Sequence, residues 1–437
     1  MPVGIARSGW DESAAIDLRV VDRWFRAGGS LVRDARRFGE PAPRSDLASR
    51  AGRSASGALT GGDARAALRD ADAVLAAADP LGEFGCCWNA LFTLSVVGAP
   101  VRAESAVLAA RSKIVAQGNE SALVELELLK VRILHRKGDL RSVTSLLRAL
   151  LRKALVQRDR ALVLRIVWSL AEATRVAGGT PRVVKGRGCR LLGDGGQVTP
   201  GGLMARGGAQ VEARQFGAAV RTYLDCGELL AEAGVDSPEV VRWRPAAVET
   251  LLRLGRAAQA ERLAEENLER ARLVGTDGAI GFAQYVLAST RPGCERASLL
   301  VEAVGRLQDA GQLLDEALAR YELGKALRKG SKGSMGSEDG AADRQLLRAI
   351  QLADDCGAWR LAERARAVAG PAMGALRGLT TQERKVARLV AAGLSNPEIA
   401  NQLFLARRTV EFHLSGVYRK LGLTGRHDLI QLLSEGA

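Results

Sequence analysis

The chain has 437 residues, 63 Lys and Arg against 49 Asp and Glu, and a net charge of +14. That length suffices for two or three domains with full cores, and the charge draws the molecule to polyanions. Aromatics at 4% with abundant Ala, Leu and Arg favour helix over sheet. Arg is scattered along the whole sequence, as a high-GC coding bias produces, so charge alone does not localise an interface.

The six cysteines (Cys86, Cys87, Cys189, Cys226, Cys294, Cys356) show no C-x-x-C spacing. With only His135, His413 and His427 beside them, they assemble no metal site and predict free thiols in a reducing cytoplasm. No apolar run approaches membrane-spanning length, and the amino terminus lacks a signal-peptide pattern.

Residues 1–60 give a poor signal. A helix fits Ser13 to Arg26, with Ile16, Leu18, Val20 and Trp24 among its apolar residues, and the Arg-, Gly-, Ser- and Pro-rich remainder reads as loop. Residues 61–369 are a succession of amphipathic helices. The breaks fall at Asp79-Pro80, Gly98-Ala99-Pro100, Gly118-Asn119, Gly138-Asp139, Gly234, Gly255 and Gly275. Helices of roughly 13–18 residues, in pairs spanning about 34–40, predict a tetratricopeptide-like solenoid of helical hairpins. Two stretches, 178–208 and 329–340, interrupt it and read as loops, and 370–378 reads as a linker.

The segment 379–437 is marked off by local chemistry. Thr380 with Glu383, and Ser395 with Glu398, stand at capping-box spacing; Pro397 fits a first turn and Gly393 a helix end. Four helices follow: one to Gly393, a brief one carrying Ile399, Ala400 and Leu403, a third from Arg407 to about Leu421, and a fourth from about Arg426. Helix, short turn (Phe404-Leu405-Ala406), helix is the skeleton of a helix-turn-helix DNA reader. On the third helix Val410, Leu414, Val417 and Leu421 form the expected core stripe. The opposite stripe is Arg408, Phe412, Ser415 and Arg419, flanked by Glu411 and Gly416. Guanidiniums that grip phosphate or guanine, a carboxylate for cytosine and an aromatic for a thymine methyl make a sensible major-groove face. The eight basic and five acidic residues of this segment add little by charge alone.

These residues closely resemble the DNA-binding domain of LuxR-type bacterial transcription regulators. The matching marks are Leu379-Thr380, Glu383, Gly393, Ser395-Asn396, Glu398-Ile399-Ala400, Thr409-Val410-Glu411, His413-Leu414, Tyr418, Lys420-Leu421 and Arg426. The expected DNA-binding residues are Arg407, Arg408, Thr409, Glu411, Phe412, Ser415, Arg419 and Lys420. Two departures stand out: Ala406 where the family has a capping Ser or Thr, a loss of about 1 kcal/mol, and Gly425 before Arg426 where Ser is common.

Residues 251–366 resemble the region preceding that domain in the large ATP-binding LuxR regulators. The resemblance rests on Leu254-Gly255-Arg256, Leu263-Ala264, Leu323-Gly324, Ala326-Leu327-Arg328, Cys356-Gly357-Ala358 and Leu361-Ala362. The phosphate loop of their ATPase module, G-x-x-x-x-G-K-[ST], has no counterpart: at Gly324-Lys325, Ala326 takes the hydroxyl position and Ala319 the first Gly.

The expectation is an all-α chain: a helical-hairpin solenoid followed by a four-helix LuxR-type helix-turn-helix domain. No cofactor, metal or catalytic group is expected. Asp354-Asp355 reads as a solvated helix face, Cys86-Cys87 as core beside Trp88, and His135 as a helix-end residue. The resemblance implies a bacterial, cytoplasmic, nucleoid-associated transcription regulator whose partners are double-stranded DNA, RNA polymerase and a second copy on DNA, paired through Leu429, Ile430, Leu432 or Leu433. It also implies a protein or small-molecule effector on the repeats. The competing reading is an interaction scaffold whose helix-turn-helix no longer binds DNA.

Overall fold

The Gly-Asp and Gly-Asn pairs that punctuate the sequence end one helix and begin the next. The computed structural model of the chain describes residues 45–80, 82–98, 100–157, five positions between 163 and 173, 200–330, 338–369, 379–391, 393–421 and 423–434. Among these residues all regular structure is helical. In chain order the helices are α1 Ser45–Thr60, α2 Ala64–Ala77, α3 Phe84–Val97, α4 Pro100–Gln117, α5 Glu120–Lys137, α6 Leu140–Val156 and α7 Pro200–Glu212. Then come α8 Phe216–Glu232, α9 Trp243–Arg253, α10 Ala257–Val274, α11 Asp277–Ala288, α12 Gly293–Asp309, α13 Leu313–Gly330, α14 Glu338–Cys356 and α15 Trp359–Ala369. The last four are α16 Thr381–Ala391, α17 Asn396–Leu403, α18 Arg407–Leu421 and α19 Arg426–Ser434.

The caps follow the sequence. Asp63 accepts from the Arg65 N–H (2.8 Å), Asn119 from Ala122 (3.1 Å) and Asp139 from Ser142 (3.0 Å), each meeting an orphan donor of the helix it opens. Four stretches read as loop are helical: 45–60 is α1, 200–208 opens α7, 329–330 ends α13, and 338–340 opens α14. Local composition misjudges α1 because Gly52, Gly57 and four serines dilute it, while Leu47, Ala48, Ala51, Ala55, Ala58 and Leu59 form its buried face. The expected helix at 13–26, the linker 370–378 and residues 178–199 lie outside the described residues.

The chain divides into two units, 1–319 with 355–358, and 320–354 with 359–437. In the first, neighbouring helices pack as hairpins, but the array is not strictly one-dimensional. One core joins Ala58 and Ala64 of the first hairpin, Val96 and Val97 of α3, and Val248, Leu251, Ala264 and Ala271 of α9 and α10. The Leu59 carbonyl accepts from the Asp236 and Ser237 N–H groups at 3.1 and 3.0 Å. A linear solenoid confines contacts to adjacent repeats. Here the early hairpins meet the middle ones.

A buried polar cluster fixes that meeting. Arg136 sits where the helix dipole favours a cation, in the last turn of α5, yet its side chain is only 10% exposed. It donates to Glu239 Oε2 (3.1 Å) and to the Ser95 and Gly98 carbonyls (2.8 and 3.2 Å). Arg242 pairs bidentately with Asp315 (3.0 and 2.8 Å) and lies over the Phe282 ring. Burial pushes the Arg136 guanidinium down from its usual range and the Glu239 carboxylate pulls it back. Beside it Gly138 takes a left-handed φ of +86°, and an added Cβ would lie 2.7 Å from Cys356 Sγ. Both the turn and the close approach require glycine.

Four of the described cysteines are buried, and Cys294 is exposed. Cys86 and Cys87 are buried, and burial pushes Cys226 and Cys356 up to about 12. Among the described residues the cysteines are free and no cluster could hold a metal ion. None of the described helices is long and apolar enough to cross a membrane.

In the second unit Gly324-Lys325 lies inside α13, the wrong setting for a phosphate loop. Asp354, expected on a solvated face, instead accepts from Arg366 at 2.7 and 2.8 Å, bracing α14 against α15. Asp355 is exposed as expected.

Candidate nucleic-acid interface

Both capping boxes form. The Glu383 N–H donates to Thr380 Oγ1 (3.3 Å) while the Thr380 N–H donates to Glu383 Oε2 (2.6 Å), starting α16. Gly393, at φ +85°, ends it; the Gly393 and Leu394 N–H groups donate to the Val390 and Leu389 carbonyls at 3.0 and 3.1 Å. The Ser395 N–H and hydroxyl both donate to Glu398 (2.7 and 2.6 Å), which starts α17 and holds that carboxyl below its usual range. The turn to α18 is made by Phe404 in the left-handed region (φ +54°), its ring 96% exposed, with the Leu405 N–H on the Ala400 carbonyl at 2.9 Å. A bulky residue is uncommon at such a φ.

Val386, Ala387, Val390, Ile399, Ala400, Val410, Leu414, Val417 and Leu429 close the small core. Leu421, expected among them, is only half-buried. Leu429 is fully buried, so it is unavailable for pairing, and Ile430 is half-buried. The side chains of Leu432 and Leu433 lie outside the described residues.

Burying the Val410 stripe turns the opposite face of α18 outward. Phe412 is 76% exposed, and Arg407, Arg408, Glu411, Ser415 and Arg419 are exposed with it, while Thr409 is half-buried. Glu411 accepts from Arg407 Nε at 3.0 Å, one turn away, and the Ser415 hydroxyl donates to the Glu411 carbonyl at 3.0 Å. Arg408, Phe412 and Arg419 thus stand beside a locally neutralised pair.

Lys420 differs from the rest of the expected set. Its ammonium donates to Glu383 Oε2 at 2.7 Å, tying α18 to α16. Burial works against the Glu383 charge, but bonds from Lys420 and Thr380 outweigh it and lower the carboxyl to about 2. Gly416, expected beside the outward stripe, faces the same carboxylate: an added Cβ would lie 2.6 Å from Glu383 Oε1. Periodicity along α18 alone does not show where α16 crosses, so both approaches to Glu383 emerge only in the fold. Arg426 serves as a clamp, donating to Asn396 Oδ1 at 3.2 Å and to the Leu394 carbonyl.

The two departures have different outcomes. Ala406 leaves α18 capped by backbone alone, with the Thr409 and Val410 N–H groups on the Ala406 carbonyl at 2.9 and 3.2 Å. At Gly425 nothing is loosened. The Thr424 N–H and hydroxyl donate to Asp428, the N–H at 2.9 Å, so a carboxylate in the first turn of α19 ties down the residue before glycine.

Residues 377–433 match the family described as bacterial regulatory proteins, luxR family. An HTH-type transcriptional regulator of Mycobacterium bovis is 54% identical over 59 residues, 14% of this chain and 6% of that protein. The DNA-binding transcriptional activator DevR/DosR of Mycobacterium tuberculosis is 45% identical over 51 residues, 12% of this chain and 24% of that protein. The HTH-type transcriptional regulator MalT of Yersinia pestis is 40% identical over 53 residues, 12% of this chain and 6% of it. The family match spans the four terminal helices, and the chain covers only a small part of these relatives' length. Those helices, with their paired capping boxes and outward Phe412 face, are a LuxR-family helix-turn-helix domain.

Proposed function

We propose that the protein is a transcription regulator that reads double-stranded DNA through α18, with the helical repeats sensing a partner or ligand. The observation that carries this reading is the exposed face of Arg408, Phe412, Ser415 and Arg419 on a helix whose other face buries Val410, Leu414 and Val417 in the core. A scaffold with a defunct domain has no use for a 76%-exposed phenylalanine between two exposed arginines. In this reading Arg408 and Arg419 take phosphate or guanine, Phe412 and Ser415 touch base edges, and Arg407, Thr409 and Glu411 set the entry of the helix. Lys420 is a positioning residue. RNA polymerase is the further partner, and the setting is a bacterial cytoplasm.

One helix-turn-helix covers half a site, so two copies bind an inverted repeat one DNA turn, roughly 34 Å, apart. The pairing surface is α19, through Ile430 and Leu432. The experiment is a binding isotherm of the full chain on its gene neighbourhood at several salt concentrations, with stoichiometry by native mass spectrometry. Phosphate contacts make log K fall linearly with log salt. Absence of any DNA isotherm refutes the regulator reading; one protomer per operator, or an unchanged stoichiometry for Leu432→Asp, refutes the pairing.

A further inference from the structure

Helices α6 and α10 of the first unit turn charge outward: Arg141, Arg148 and Arg152 on one, Arg262, Glu265, Glu269 and Arg272 on the other. Helix α4 does not. Its inward face is Ala103, Val107, Ala110 and Ile114, all buried. At about 100° per residue the opposite face carries Val101, Ser105, Leu108, Ser112 and Val115, and no charge. Val101 is 67% exposed, Leu108 and Val115 46% each. The other exposed aliphatic residues of the first unit, such as Leu224, Leu273 and Val301, do not recur along one helix face in this way. Single exposed apolar side chains are ordinary, but three at intervals of seven form the seam along which helices pair.

The pattern also selects the occupant. It is symmetric about Leu108, with Val101 and Val115 equally far to either side. Two copies of α4 packed antiparallel about a two-fold axis at Leu108 set Leu108 on Leu108 and Val101 on the partner's Val115, the self-complementary contact of a symmetric dimer. Charge follows the same axis. Glu104 and Arg111 lie along one edge of the stripe, already held within the chain by Lys137 (2.6 Å) and Glu127 (2.7 Å). The two-fold brings each Glu104 alongside the partner's Arg111, whereas parallel pairing sets serines there instead. Arg102 and Lys113 lie roughly 120–140° round the helix from Leu108 and point away from the seam. We propose that α4 is a self-association surface, at which two copies of the chain pair antiparallel across Leu108. Its size sets its strength. A helix of 18 residues is about 27 Å long, and one such pair buries less than the roughly 1,200 Å² of a stable complex. The contact therefore forms and parts readily. It is separate from pairing through α19 and needs no DNA.

The test is sedimentation of the full chain without DNA over a range of concentrations, read beside cysteine cross-linking. The wild type should move from monomer to dimer as concentration rises. Leu108→Glu should weaken that association about tenfold or more, because the axis sets each new carboxylate against its own copy. The position is exposed, so thermal stability changes little and loss of pairing is not loss of the fold. In a Cys294→Ser background, which removes the exposed one of the described cysteines, mild oxidation of Leu108→Cys should give a disulfide-linked dimer. Val101→Cys should join Val115→Cys when the two are mixed, but not itself. The antiparallel pair holds the two Val101 positions roughly 21 Å apart, beyond disulfide reach. A wild type that is monomeric throughout overturns the proposal, as when residues 13–26 cover α4 instead, and so does Val101→Cys joined to itself. Association abolished by Leu432→Asp but untouched by Leu108→Glu also overturns it and assigns the surface to α19. A chain that pairs through Leu108 and takes up no DNA refutes the regulator reading and upholds the pair.

Discussion

Lys420→Gln separates a structural lysine from a DNA-contacting one. Lys420 exposes 32% of its side chain and Glu383 only 9%, so the pair is half-sheltered rather than dry. A hydrogen bond to a charged group contributes about 1.5–3 kcal/mol, and the exposure of Lys420 places this one at the lower end, about 1.5 kcal/mol. Glu383 keeps its bonds from Thr380, so the domain stays folded but opens more often. About 1.5 kcal/mol is roughly a tenfold rise in the opening equilibrium. Hydrogen exchange of the α16 and α18 amides in the full chain reads it directly. The acid dependence follows from the same pair. Glu383 is lowered from 4.5 to about 2, so its stabilisation is complete above the unfolded value and disappears as pH falls from about 4.5 towards 2. In Lys420→Gln the folded value rises, and the loss of protection over that window becomes shallower. Unchanged exchange together with weakened DNA binding would falsify the structural role and return Lys420 to the reading face.

Gly416→Ala should destabilise the domain by about 1 kcal/mol or more, as overpacking against the Glu383 carboxylate exceeds the gain in helix propensity; exchange of α18 equal to or slower than wild type counts against the close approach. Ala406→Ser should add about 0.5–1 kcal/mol by supplying the missing cap of α18, measurable as slower exchange at Thr409. Phe412→Ala should change the sequence recovered by binding-site selection, and an identical motif removes Phe412 from the reading set. Arg408→Ala and Arg419→Ala should weaken all sites and, where they grip phosphate, reduce the salt slope by about one unit each.

The four terminal helices were legible because their ends are written in local chemistry. Thr380 with Glu383, Ser395 with Glu398 and Gly393 each fix a boundary within a few residues of chain. The outward face followed from periodicity, and Val410, Leu414 and Val417 are buried as that periodicity requires. The contacts of Lys420 and Gly416 with Glu383 were not legible, because that partner lies on another helix, 37 residues away in the case of Lys420. Helix α1 was missed for a related reason: Gly52, Gly57 and its serines weaken the local signal, and burial of Leu47, Ala48 and Ala51 against α2 and α3 offsets them. Arg136 shows the limit most clearly. Locally it is a cation at a helix end; its burial against Glu239 depends on a residue 103 positions on.

That separation has a bearing on how the chain is made. Ribosomes extend a polypeptide at about 5–20 residues per second, so Glu239 emerges roughly 5–20 s after Arg136. Through that interval α5 can form but cannot bury its guanidinium, since a charge withdrawn from water without its counter-ion is strongly disfavoured. The early hairpins therefore wait in an open state until the middle of the chain arrives to close them. Local contacts let helical arrays fold from any point, but this one contains a step of high sequence separation that slows it. The nascent chain exposes the surface around Val96 and Val97 for the same period, and that surface is where a chaperone would engage it.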